Sequence, residues 1–441
     1  MPVTSPSIPL WRQLQSTAHV LLDVRNGRSL TQVLDGVDRT LRPGVQALAF
    51  HVMRVQGRAQ ALRRELARRA PPPAVDALLC TALALAADSE EAPYEAFTLV
   101  DQAVEAAKRD PSLRPSASFI NACLRRFLRE RERLMAATDA DPVARWNHPA
   151  WWIKRLKADH PLHWQAILAA NNAKAPMALR VNVARISPAH YLQMLEAAGL
   201  AAVRQGETAI LLERALPVQD IPGFTDGLVS VQDAGAQLAA PLLLHGLASQ
   251  RPLEVLDACA APGGKTAHLL EQGGVRVTAL DIDAQRCERI EANLQRLGLS
   301  AKVLAADAGE PASWWDGAFF DAILLDAPCT ASGIVRRHPD VRWLRRESDV
   351  DQLATVQARL LNTLWPLLRP GGRLLYCTCS VFRAEGSQQI KAFVANNTHA
   401  VHLPSPGHLM PHFRAGGRTV PDNYTGDHDG FFYALLEKRP A

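Results

Sequence analysis

From Val229 onward the chain alternates short apolar runs with amphipathic stretches. "PLEVLDACAAPGGKTAHLLEQ", "VRVTALDIDAQRCERIEANLQRLG", "AKVLAADA", "FFDAILLDAPC", "QARLLNTLWPLLRPGGRLLYCTCS" and "GFFYALLEK" read as strand, helix and strand in repeated order. Alternation of this kind predicts an α/β fold, a mostly parallel, doubly wound Rossmann-like sheet over residues 229–441.

The rest of the chain has a different texture. Apolar residues recur at three- and four-residue spacing through "VQALAFHVMRVQGRAQALRRELARRA", "AFTLVDQAVEAAKR" and "SASFINACLRRFLRERERLM", with breaks at Pro43-Gly44, Pro71 to Pro73 and Pro111 to Pro115. Residues 1–140 are therefore expected to form an all-α bundle. Between the two, residues 145–228 mix helical pieces with short extended ones such as "MALRVNVAR" and "AILLERAL", which suggests a small mixed connecting domain. Three domains suit a chain of 441 residues, at roughly 100–200 residues per domain.

Composition narrows the class. Hydrophobic residues make up 48% and charged residues 21%, and no apolar run approaches the roughly 20 residues of a membrane helix. The start, "MPVTSPSIPLWRQL", has no basic segment followed by an apolar core, so a cytoplasmic location is expected. Seven cysteines without framework spacing argue for reduced thiols, and the absence of any CxxC pair argues against zinc; no metal is expected. Residues 145–218 carry nine Lys/Arg against four Asp/Glu, together with Trp146, Trp151, Trp152 and Trp164, a combination suited to a phosphate backbone and unstacked bases.

In a doubly wound sheet, ligands bind beyond the carboxyl ends of the strands. The first expected strand runs into "DACAAPGGKT", where Gly263 and Gly264 let backbone approach a ligand and the following helix start offers free N–H groups. The second ends at Asp281-Ile282-Asp283, the third at Asp307 and the fourth at Asp326. Any one of these acids could be a helix cap, but four successive strand ends carrying acid suggest an adenosine-containing ligand. A phosphate-binding G-x-x-x-x-G-K-[ST] loop is excluded, because Cys259 stands where its first glycine is required.

The stretches "DACAAPGGKT", "LLDAPCTASGIVRRHPDVRWLRR" and "YCTCSV" closely resemble the RNA cytosine-C5 methyltransferases of the Sun and NSUN families. The helical N-terminus is similar to the NusB-like RNA-binding domain of the bacterial branch. The resemblance implies transfer of a methyl group from S-adenosyl-L-methionine to a cytidine in small-subunit (16S) rRNA, either free or partly assembled. It implies cofactor binding by the loop Cys259, Ala260, Ala261, Pro262, Gly263, Gly264 and Lys265 and by Asp281, Asp307 and Asp326. A tRNA or another rRNA is an alternative substrate, and a non-catalytic RNA-binding assembly factor is an alternative from another class. Nothing in the sequence demands more than a monomer.

Cytosine C5 is a poor nucleophile, so methylation there needs a thiolate to add at C6 first. A free cysteine thiol, with pKa ~8.5, is mostly protonated at neutral pH. Cys329 and Cys379 both stand at expected strand ends, and residue chemistry alone leaves the attacker open between them. The family resemblance implies that Cys379 is the nucleophile and that Cys329 assists product release. Asp326, just ahead of Ala327-Pro328-Cys329, is expected to contact the cytosine amino group, and the resemblance places Lys265 beside the site. Cys377 is expected to be a buried filler, while Cys80, Cys123 and Cys287 are expected to be structural. The arginines Arg336, Arg337, Arg342, Arg345 and Arg346 are expected to meet RNA phosphates. The tail "PDNYTGDHDGFF" lacks calcium-loop spacing and reads as a turn before the last strand.

Overall fold

The computed structural model describes residues 8–87, 94–247, 249–411 and 426–440. These form two compact units. One holds the described residues up to Trp164 together with His338–Arg345, and the other holds Gln165–Arg337 with the described residues from Arg346 onward.

The first unit is helical, as the spacing predicts. Helices Leu10–Arg25, Arg42–Leu66, Pro73–Ala87, Ala96–Arg109 and Ala117–Arg129 bury their apolar faces in one core. Pro73–Ala87 is buried on nearly every side, which is why "ALLCTALALAA" shows no polar face. Cys80 and Cys123 lie in this core, and burial pushes the Cys80 thiol up to about 11.

A segment from far along the chain completes the unit. Asp340 Oδ2 accepts from Leu30 N at 2.9 Å, Trp343 Nε1 donates to the Met53 carbonyl at 3.3 Å, and Arg342 Nη1 donates to the Asn147 carbonyl at 3.0 Å. Trp343 and Leu344 pack on the helical core. The expected connector is divided between the units, since its residues up to Trp164 cluster with the helices.

The second unit contains two sheets. Strands β1 (Met177–Val181), β2 (Ala202–Gln205), β3 (Ala209–Leu212) and β4 (Val229–Val231) pair antiparallel in the order β2-β3-β1-β4. The helix Pro188–Ala197 supplies Tyr191 and Leu195 to their common core. Val229, expected to open the parallel sheet, instead pairs with Val181 of β1.

The larger sheet comprises β5 (Leu253–Ala258), β6 (Val275–Asp281), β7 (Lys302–Ala305), β8 (Phe320–Asp326), β9 (Leu368–Thr378), β10 (Ala400–Leu409) and β11 (Phe431–Lys438), in the order β10-β11-β9-β8-β5-β6-β7. Pairs from β9 through β7 are parallel, while β11 and β10 are antiparallel. β10 was not expected from "AVHLPSPGHL", because Pro404 and Pro406 break the strand pattern; its place at the sheet edge tolerates them. From β5 the chain winds outward through β6 to β7, then returns to the other side of β5 for β8 and β9. The crevice at this reversal, beyond the ends of β5 and β8, is where such a sheet binds ligands.

Candidate active site

The loop after β5 is shaped by backbone constraints. Cys259 adopts a left-handed φ of 62°, Ala260 N donates to the Leu280 carbonyl at 2.7 Å, and the Ala261–Pro262 bond is cis. Gly263 has φ 90°, and a Cβ there would sit 3.1 Å from Ile290. Glycine at 263 thus answers a left-handed turn against the helix Ala284–Leu297. The helix Gly264–Glu271 then begins with its N-terminus at the crevice. Arg180 of β1 anchors this helix, donating to the Gly264 carbonyl at 2.7 Å and pairing with Glu271 at 2.8 Å, with both side chains of the pair buried.

Carboxylates collect at the strand ends as expected. Asp281, only 2% exposed, accepts from Ala261 N at 3.1 Å and so fastens the first loop to the end of β6. Asp307 accepts from Gly309 N at 2.7 Å and pairs with Arg359 at 3.0 Å. Cys259, Asp281, Ile282, Asp307, Pro328 and Leu360 line a cleft of about 150 Å³. Larger clefts of about 390, 470 and 700 Å³ lie elsewhere in the unit, but none gathers residues from these strand ends.

Asp257, inside β5, is fully buried, and its Oδ2 accepts from the Thr266 hydroxyl at 2.6 Å. Burial, reinforced by the charges of Asp326 and Asp281, pushes its pKa up to about 7 against the opposing effects of Thr266 and Lys265. Unfolded aspartate titrates near ~3.9, so between about pH 4 and 7 the folded chain holds a proton that the unfolded chain has lost. Stability from this group is therefore full below that window and falls as pH rises through it. Asp257→Asn is expected to flatten the fall by on the order of a few kcal/mol, read from urea midpoints at about pH 4.5 and about pH 7.

The chemistry-bearing loops follow β8 and β9. These strands are parallel neighbours with Asp326 paired to Cys377, so the residues just beyond them emerge side by side although fifty positions separate the two cysteines. Ala327 N donates to the Cys377 carbonyl at 2.9 Å and Gly333 N to the Cys379 carbonyl at 2.9 Å. The half-buried sulfurs of Cys329 and Cys379 stand 3.4 Å apart. Contact with Cys379, then burial, holds the Cys329 thiol well above its ordinary pKa.

Asp326 is gripped on both oxygens: Lys265 Nζ lies 2.6 Å from Oδ2 and Cys377 Sγ 3.4 Å from Oδ1. Burial opposes the Lys265 charge, but Asp326 together with Cys377 and Tyr433 outweighs it and keeps the ammonium protonated. Cys377 is buried as expected, yet it is more than a filler, since the strand register directs its thiol at Asp326.

The arginines require correction. Arg336 is fully buried, paired with Asp429 and, at 2.7 Å, with Asp427. Arg337 bridges Asp429 at 2.5 Å and Asp233 at 2.8 Å. Arg342 is fully buried in the helical unit, where burial pushes its pKa down to about 9. Arg336 and Arg342 expose no surface to a phosphate, and the guanidinium of Arg337 is taken up by carboxylates. Arg345 is half-buried in the helical unit, and Arg346 alone of the five is exposed.

The tail is likewise more than a turn. Asp427 and Asp429 supply the buried counter-charges, and Gly430 N donates to the Gly333 carbonyl at 2.8 Å. A Cβ on Gly333 would stand 2.1 Å from the Gly430 carbonyl oxygen, so the cysteine loop and the tail touch backbone to backbone. Asp422 of the same motif lies outside the described residues.

Fold and site together define a Rossmann-like methyltransferase. Residues 245–437 match the family model described as 16S rRNA methyltransferase RsmB/F, and residues 148–219 match the ferredoxin-like domain of RsmF/B-like methyltransferases. The chain is 43% identical to ribosomal RNA small subunit methyltransferase B of Pseudomonas putida, covering 97% of this chain and 98% of that one. To the protein of the same name from Escherichia coli it is 39% identical, covering 97% and 99%. The solved structure of PH0851 shares the fold over 98% of this chain and 99% of its own, with a TM-score of 0.74 at 24% identity. The chain belongs to the ribosomal RNA small subunit methyltransferase B family. Among the described residues, no helix is long and apolar enough to cross a membrane and no group of ligating side chains could hold a metal ion.

Proposed function

We propose that this protein transfers a methyl group from S-adenosyl-L-methionine to C5 of a cytidine in small-subunit rRNA, through a covalent bond between Cys379 and C6. The observation that carries this reading is the pair of cysteine sulfurs 3.4 Å apart at the ends of adjacent parallel strands, beside the Lys265–Asp326 pair.

The cleft after β5 and β6 fits the cofactor. Asp281 and Asp307 offer carboxylates to hydroxyl and amine donors, while Ile282, Pro328 and Leu360 offer apolar walls to a flat ring. When bound, S-adenosyl-L-methionine supplies an electrophilic methyl group. The protein's own work is to make C5 able to accept it.

Cys379 Sγ adds to C6, and the electron pair displaced by that bond makes C5 enamine-like. Asp326, fixed by Lys265 and Cys377, is suited to accept from the exocyclic amine of cytosine and so to hold the ring with C6 toward the thiolate. The raised Cys329 thiol keeps its proton beside the Cys379 sulfur, as suits a group that assists elimination after a base removes the C5 proton.

RNA contact falls to exposed cations rather than to the buried arginines. Arg346 is one, and Arg145, Lys154 and Lys157 of the helical unit are others, with Lys157 Nζ 4.5 Å from the centre of the Trp164 ring. Reading the helical bundle as NusB-like assigns it the same role. The test is methyl transfer from labelled cofactor to undermodified small-subunit rRNA, followed by mapping of 5-methylcytosine. Label at one cytidine is expected; no label in any cytidine overturns the proposal.

A further inference from the structure

Glu385 stands six residues beyond Cys379 in "CSVFRAEGS", where it reads as a surface acid at a helix start. It is fully buried instead, in the short turn Arg383–Glu385. Its carboxylate collects donors from three chain segments. Thr330, next to Cys329, gives its N–H at 2.8 Å and its hydroxyl at 2.5 Å. Ser380, next to Cys379, gives its hydroxyl at 2.6 Å. Gln357, in the helix Glu347–Leu364, gives an amide N–H at 3.3 Å and also donates to the Pro328 carbonyl at 2.9 Å.

The Glu385 carbonyl in turn accepts from the Tyr376 hydroxyl at 2.8 Å, which ties the turn back to β9. Ser332 and Ser380 hydroxyls meet at 2.8 Å across the same two loops. One carboxylate therefore holds the residue after each cysteine.

We propose that Glu385 is a positioning residue that sets the spacing between the Cys329 and Cys379 sulfurs. Charge-assisted bonds to a buried carboxylate are short and strong, and a displacement of about 1 Å at a reacting pair can cost about 100-fold in rate. Without Glu385, the two loops keep the backbone bond from Gly333 to the Cys379 carbonyl and the bonds of the Ser332 hydroxyl to Ser380 and Val381.

The inference rests on the proposed activity only for its kinetic arm, so two readouts are combined. The first needs no RNA. Diamide takes two electrons and two protons from a pair of thiols, forming one S–S bond and the corresponding hydrazine, and the rate depends on the sulfurs meeting. Wild-type protein is expected to give a Cys329–Cys379 disulfide, identified by non-reducing peptide mapping. Glu385→Ala is expected to form it about tenfold or more slowly, and Glu385→Gln, which keeps the shape and an acceptor oxygen, to recover most of the rate.

The second readout is kinetic. Glu385→Ala is expected to lower kcat about 100-fold with KM for the cofactor within about twofold, and Glu385→Gln to restore most of kcat. Disulfide formation in Glu385→Ala at the wild-type rate overturns the proposal. If Glu385→Ala lacks a cooperative melt, Glu385→Asp, which draws the carboxylate back by one methylene, decides: a rate below about a third of wild type supports the clamp, and any faster rate overturns it. A disulfide response as expected in a wild-type protein that methylates no RNA removes the activity and leaves the clamp standing.

Discussion

Cys379→Ala is expected to abolish methyl transfer, by roughly four to six orders of magnitude, and to form no covalent complex with RNA on a denaturing gel. Cys329→Ala is expected to form that complex and release it poorly, so that a protein–RNA adduct accumulates. The two thiols are alike in sequence setting but not in surroundings. The Cys329 thiol is held up first by its contact with Cys379 and then by burial, and the negative charge of Glu385 adds to the effect. A thiol kept protonated is a poor attacker and a good proton-bearing neighbour. An adduct that survives Cys379→Ala and vanishes in Cys329→Ala would reverse the two roles.

The second large effect concerns stability. Arg336→Met is expected to cost about 3–5 kcal/mol, because it leaves Asp429, fully buried, and Asp427 with too little positive charge. In a unit of this size that corresponds to a fall in Tm of roughly 10 °C. Arg346→Met, at an exposed position, should stay within about 0.5 kcal/mol. Thermal melts of the two variants check the pair, and equal melting would show that the buried cluster is energetically idle. The same substitution also bears on the site, since Arg336 lies in the loop that begins at Cys329 and anchors it to the tail.

Much of this architecture is written locally in the chain. Strand runs such as "DAILLDA" and helix faces such as Ile120, Cys123, Leu124 and Phe127 declare themselves within a few residues, and the ends of β5, β6, β7 and β8 each carry an acid in the same short window. The cysteine pair is different. Cys329 and Cys379 meet because β8 and β9 are neighbours in a register that sets Asp326 against Cys377, a fact no short window holds; resemblance to a family supplied what spacing could not.

Polar partners across the chain were illegible for the same reason. Arg336 looked like an RNA contact because its counter-ion is 93 positions away, in a stretch that reads as a turn. Glu385 gave no signal, because Thr330, its main donor, lies 55 positions before it. Arg180 gave no signal, since its partner Glu271 is 91 positions on and belongs to the other sheet's first helix. In each case the sequence displays the charge, and only the folded chain says whether water or a buried partner meets it.

The short segment His338–Arg345 has a consequence for modularity. Because it clusters with the helices, the chain passes between the two units three times, after Trp164, after Arg337 and after Arg345. A protease nick after Trp164 leaves the helical piece plugged by its own borrowed strip, which remains covalently continuous with the cysteine loop on one side and the helix Glu347–Leu364 on the other. A gene fragment that stops at residue 164 lacks that strip, with the Asp340 acceptor for Leu30 and the Trp343 side chain on the core. The helical part is thus a graft rather than an appendage, and swapping it between relatives means exchanging two pieces of sequence at once.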